Sequence, residues 1–227
     1  AKDSASKVAI GAFLLFDKKG DRKRATQLWQ EAAKDGMDIE RLMPELGIEP
    51  GSGGGQLAVP TDPAKIREAE AAVKRVFQSQ YEAATSLPSK ESLAKALLAA
   101  AAKPSDNVEA RFVALCEARD LAAAAGNPLL TCEAIDQMAA LYRVDELAMK
   151  TASLEQLAQS ARSLTAQKEV AQTVVELLKG AVDAGRVTEA GRLAEVGLLA
   201  ARKSRNRLLM QQLTAAAREI EAMGAKR

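Results

Sequence analysis

Four carboxylates stand where two adjacent helices would bring them to one level: Glu117 and Asp120 in "CEARD", and Glu133 and Asp136 in "CEAID". Folded back on one another at Gly126, these pairs would offer the oxygen ligands that a hard cation such as Ca²⁺ or Mg²⁺ requires. The apolar pattern argues for a different arrangement. If the two helices meet through Leu115, Ala118 and Ala122 on one side and Thr131, Ile135 and Met138 on the other, both acidic pairs point away from the seam. Solvated faces are therefore expected, and no metal site.

Other chemistry is narrowed by absence. The chain contains no histidine, which removes the commonest acid-base group, the Ser-His-Asp and Cys-His arrangements and most zinc sites together. No catalytic residue and no cofactor are assigned, and an enzyme here would have to use carboxylate and lysine groups. Cys116 and Cys132 are too few for a four-thiolate metal site. They read as buried thiols, or as a disulfide between neighbouring helices that would imply an oxidising compartment.

"ARKSRNR" gathers Arg202, Lys203, Arg205 and Arg207 at the break between the last two helices. Basic residues there complement the helix dipole and its free carbonyls. The alternative, a phosphate-contacting patch, lacks interleaved aromatics for base stacking. With a formal charge of +2, nucleic acid is not the expected partner. "GSGGGQ" lacks the Gly-Lys-Ser/Thr ending of a phosphate loop and reads as a linker.

The elements that position these residues are helices. Apolar content rests on Ala and Leu, aromatics make up 3%, and no window alternates β-branched with polar residues, so the class is all-α. A short helical element is expected over 1–46, a Gly/Pro-rich linker over 47–61 and an α-helical domain over 62–227. The first part holds a hairpin turning at Gly20 with Trp29 as groove filler. After the linker, "TDPAKIREAEAAVKRVFQSQYEAA" reads as one long helix opened by Thr61 or Asp62 and Pro63. "NPLLTCEAIDQMAALYR" restarts at Asn127 and Pro128 immediately after the stop at Gly126. Ten or eleven helices are expected in all. The last spaces Leu209, Leu213, Ala216, Ile220 and Met223 by fours and threes, as an edge closing a helical stack or as the seam of a weak dimer. No run of apolar residues long enough to span a bilayer, and no signal peptide, is read in the chain.

Three turns align on Gly20, Gly126 and Gly185. Five residues later stand Ala25, Thr131 and Ala190; nine later Trp29, Ile135 and Ala194; twelve later Ala32, Met138 and Gly197; four before, Phe16, Ala122 and Ala181. Small residues after the turn let antiparallel helices approach, and larger ones fill the groove between them. This spacing resembles the tetratricopeptide repeat (TPR), "GDRKRATQLWQEA" most closely. The family's early Trp is replaced by Ala9, Leu115 and Val174, and its terminal Pro by Met37, Arg143 and Arg202. The resemblance implies a right-handed array of stacked hairpins that acts as a non-catalytic scaffold or protein-interaction module. Its groove would be lined by outward residues of first helices, such as Asp120 and Lys179. "VKRVFQSQYEAA" and "CEARDLAAAAGNPLLTCEAIDQMAALYRVDELAMK" are similar to helical regions of uncharacterised bacterial multidomain proteins, which implies part of a larger protein and leans towards the cell envelope. The alternative is a small-ligand- or lipid-binding helical bundle, or a His-independent enzyme.

Overall fold

A computed structural model describes residues 56–224 apart from Pro104 and Asp106. The chain divides into two units, Ala1–Gln56 and Leu57–Arg227, and the description concerns the second. The expected Gly20 hairpin, Trp29 and residues 47–55 of the expected linker lie outside the described residues.

The described residues hold nine helices: α1 (Pro63–Val76), α2 (Gln78–Ala83), α3 (Leu87–Ala101), α4 (Val108–Ala125), α5 (Pro128–Leu141), α6 (Glu146–Ser160), α7 (Leu164–Asp183), α8 (Val187–Lys203) and α9 (Arg207–Gly224). There is no strand among them. Helix starts follow from local chemistry: Asp62, Ser86, Asn107, Asn127, Asp145, Ser163 and Asn206 each accept a first-turn N–H on a side-chain oxygen. Each such cap satisfies a donor that the helix itself cannot, a contribution of about 1 kcal/mol.

The long helix expected after Pro63 is two helices. It breaks at Phe77, whose φ of −105° and ψ of 18° leave the helical region. Phe77 and Tyr81 both pack on the core, and the Tyr81 hydroxyl donates to Glu117 Oε2 on α4 at 3.3 Å. These long-range contacts redirect the chain at a residue that carries no local breaker signal.

Three reversals use one device. The N–H of Asn127 donates to the carbonyl of Ala122 (3.0 Å) and that of Gly126 to Ala123 (2.9 Å). Arg186 and Gly185 repeat the pair on Ala181 and Val182, and Asn206 and Arg205 on Ala201 and Arg202. This is the Schellman arrangement, which needs one left-handed residue. Gly126 (φ 77°) and Gly185 (φ 70°) supply it without steric cost, whereas the third turn places Arg205 there at φ 56°.

From α3 to α9 each helix packs on the next, and α3–α5, α5–α7, α7–α9 and α6–α8 also touch. Two apolar cores result. One gathers Leu93, Leu97, Leu115, Met138 and Tyr142, and the other Leu154, Val170, Val174, Leu193 and Leu213. Helix α5 serves both, with Leu130, Ala134 and Met138 in the first and Cys132 in the second. The aligned positions Ala122, Thr131, Ile135, Met138, Ala181, Ala190, Ala194 and Gly197 are all buried. At Gly197 the approach is closest: a Cβ there would lie 2.7 Å from Val174 Cγ1 and 2.8 Å from Leu213 Cδ2.

The end of the expected linker is anchored. Leu57 forms an isolated parallel bridge with Tyr142, its N–H donating to the Leu141 carbonyl (2.7 Å) and its carbonyl accepting from Arg143 N–H (2.8 Å). Leu57 and Val59 pack on the first core.

Candidate functional site

The open groove between α7 and α9 is the concavity that best suits a binding role. It encloses about 290 Å³, near the lower end of the range typical of small-molecule pockets. Leu178 and Val182 from α7, with Leu213, Ala216 and Ile220 from α9, form its apolar floor, and Lys179, Asp183 and Glu219 ring it with charge. Its walls follow from periodicity: Leu213, Ala216 and Ile220 recur by threes and fours on one face of α9. Leu209, Leu213 and Ile220 of the last-helix stripe are buried within this chain, while Met223 lies at the groove rim, partly exposed.

The expected binding residues Asp120 and Lys179 are not brought into this groove together. Lys179 is on its rim. Asp120 lies on α4, exposed and held by the Arg119 guanidinium at 2.8 Å. Gln212 and Glu219 carry no signal in the sequence, and Met223 stands there only as part of the last-helix stripe, because the groove arises only when α9 packs against α7.

The acidic quartet disperses. Glu117 accepts from Tyr81 and lies 4.0 Å from Lys74, and Glu133 is exposed. Asp136 pairs with Lys150 of α6. Lys150 is buried and also meets Glu146 at 2.7 Å; burial opposes its charge, but the two carboxylates overcome that and hold its pKa above the ordinary lysine value. Among the described residues no group of three or more His, Cys, Asp or Glu is placed to hold a metal ion. Both cysteines are free thiols, Cys116 beside the first core and Cys132 in the second. Burial pushes each up to about 11, which leaves little thiolate for nucleophilic work at neutral pH.

The basic segment is divided between tasks. Lys203 Nζ donates to the carbonyls of Ala158 (2.6 Å) and Gln159 (3.3 Å) at the C-terminus of α6. Gln167 of α7 donates to Ala158 (3.0 Å) and Ala161 (2.7 Å) at the same terminus. Arg202, Arg205 and Arg207 remain exposed. At the other end of the helices, Arg186 grips both Asp145 oxygens (3.2 and 2.8 Å) and Glu189 (2.6 Å). The guanidinium holds the Asp145 carboxyl below its ordinary value.

Fold and groove together define an all-helical protein of consecutively packed helices with an open interhelical groove. No described helix is long and apolar enough to cross a membrane. Compared with protein-family models, curated proteins and solved structures, the chain matches none.

Proposed function

We propose that this unit is a non-catalytic, protein-binding scaffold, a right-handed TPR-like stack of hairpins within a larger protein. The observation that carries the reading is the α7/α9 groove, with an apolar floor and a rim where Asp183 and Glu219 outnumber Lys179. An amphipathic helical segment suits it, with apolar anchors at i, i+3 and i+4 and flanking Lys or Arg. The second-neighbour contacts α5–α7, α7–α9 and α6–α8 support the stacked arrangement, in which each hairpin leaves an apolar face for its neighbour. The partner is a protein or peptide, and the protein works as a monomer or a weak dimer.

Selection of helical peptides from a display library, followed by titration, tests this. Enrichment of apolar–basic sequences whose binding is lost in Ala216→Arg, which fills the groove, is the expected result. Binding of fatty acids or small apolar dyes in place of peptides would replace the scaffold with the ligand-binding bundle. Small-angle scattering adds a shape test: an extended curved particle is expected, and a closed compact bundle would count against the stack.

A further inference from the structure

Leucines that are mostly exposed are few among the described residues, and they fall in one pattern. Leu87, Leu129, Leu164 and Leu208 are 59%, 60%, 56% and 64% exposed. Each is the first or second residue of its helix, in α3, α5, α7 and α9 in turn.

These helix starts share one end of the array. Lys95 of α3 lines one concavity with Leu130 and Glu133 of α5, each set within the first three turns of its helix, so the two helices start at the same end. A Cβ on Gly126, in the α4/α5 turn, would lie 3.9 Å from Ala166 Cβ in the first turn of α7. Gln167 in α7 bonds the C-terminus of α6, and Lys203, at the end of α8 and just before α9, bonds it too. The four leucines therefore form a row, and with neighbouring axes about 8–10 Å apart it runs for roughly 30 Å.

Charge along that end has one sign. The first turns of α3, α5, α7 and α9, the last turns of α4, α6 and α8, and the residues joining them hold Lys90, Arg162, Arg202, Lys203, Arg205 and Arg207 and no carboxylate. Carboxylates begin one turn further in, at Glu91, Asp120, Glu133, Glu155 and Glu169, of which Glu91 is paired with Lys95 (2.6 Å), Asp120 with Arg119 (2.8 Å) and Glu155 with Arg192 (3.3 Å). Helix starts normally favour acids, which offset the dipole. Here α4, α6 and α8, which start at the opposite end, follow that rule with Glu109, Glu146 and Glu189, while α3, α5, α7 and α9 have no acid in the first turn. The C-termini of α4, α6 and α8 meet the same end, so the helix dipoles there largely offset one another, and the positive field rests on the side-chain cations, with no acid at the four helix starts to neutralise it. Arg205 even occupies a left-handed position where the two equivalent turns use glycine.

We infer that this end is a docking edge for the surface of an anionic lipid bilayer. Protruding aliphatic side chains enter the headgroup–acyl boundary, and the cations meet lipid phosphates and carboxylates. An acidic protein would engage the cations equally well, but it would need a surface complementary to four separated leucines. A bilayer accepts them at any spacing.

Co-sedimentation of the full chain with vesicles tests the inference. Binding to phosphatidylcholine vesicles rich in phosphatidylserine is expected, with no measurable binding to pure phosphatidylcholine and a fall as salt is raised. Arg205→Gln with Arg207→Gln, and separately Leu129→Ser with Leu164→Ser and Leu208→Ser, should each lower partitioning roughly tenfold or more. Ala216→Arg in the α7/α9 groove should leave it unchanged. Thermal melts check that each variant remains folded; the arginine and leucine substitutions are all at exposed positions, and Ala216 is half-buried in the groove floor. Failure to bind anionic vesicles overturns the inference. So does loss of binding in the arginine variant but not the leucine variant, or binding to heparin or DNA without binding to vesicles; both would make the edge a general polyanion surface.

Discussion

Lys203 Nζ lies 2.6 Å from the carbonyl oxygen of Ala158, so the end of α8 caps the end of α6 across 45 residues of chain. Gln167 donates to that same oxygen from α7 at 3.0 Å. Three helices thus share a single acceptor, and α6 needs no glycine of its own to finish.

Removing this cap should be measurable. Lys203→Met is expected to cost about 1 kcal/mol, a charge-assisted hydrogen bond reduced by partial exposure. Gln167→Met should also destabilise, but less than two lost bonds imply, because its buried Oε1 has no partner. Since both side chains donate to Ala158, either single variant leaves that carbonyl one donor and only the double variant strips it of both, so the double should cost more than the sum. Urea melts of the four-protein cycle read the coupling, and strict additivity would contradict a shared node.

At the α8/α9 turn, Arg205→Gly should stabilise by ~0.5–1 kcal/mol, because the left-handed backbone penalises any side chain and glycine least. Arg205→Val should destabilise, since β-branching makes that conformation worse. A higher melting temperature for valine than for glycine would refute the strain argument.

Helix glycines separate propensity from packing. Gly180→Ala and Gly191→Ala meet nothing within 4 Å and should gain about 0.5–1 kcal/mol each from better helix propensity. Gly197→Ala meets Val174 and Leu213 below 3 Å. The clash, roughly 1–3 kcal/mol, outweighs the same gain and should lower the melting temperature.

Alkaline pH should weaken the fold. Burial raises Cys116 and Cys132 to about 11 from an ordinary 9.0, and Tyr142 to about 12 from 10.0. Each group loses its proton more readily when unfolded, so its contribution is whole below the ordinary value and lost as pH climbs through the raised one. Chemical denaturation should show stability falling from about pH 9 to 12, and falling less steeply in Cys132→Ala. A flat profile would show that these groups are not buried in solution.

Much of the architecture was legible in local chemistry. Asp62 with Pro63, and Asn127 with Pro128, announced helix starts because capping is settled within four residues, and Gly126 and Gly185 announced reversals because few other residues tolerate positive φ. What escaped depends on distance or on an exception. The break at Phe77 answers to contacts on α4, and the Arg205 turn has the glycine geometry without the glycine. Lys203 read correctly as a helix-end cation, yet the helix that it caps is α6 and not its own. The α7/α9 groove needs two helices about thirty residues apart, and each exposed leucine looks unremarkable in sequence until packing sets the four in a row.

The bridge from Leu57 to Leu141 and Arg143 also decides how this unit carries mechanical load. A pull on the chain at Gln56 reaches the two backbone bonds of Leu57 before it reaches α1. Because the paired segments run parallel, the force shears both bonds together, and Leu57 and Val59 add their grip on the core. Tension is delivered to the corner between α5 and α6, beside Tyr142, which is buried and bonded to the Val108 carbonyl, and α1 is spared the fraying that a bare helix start would suffer.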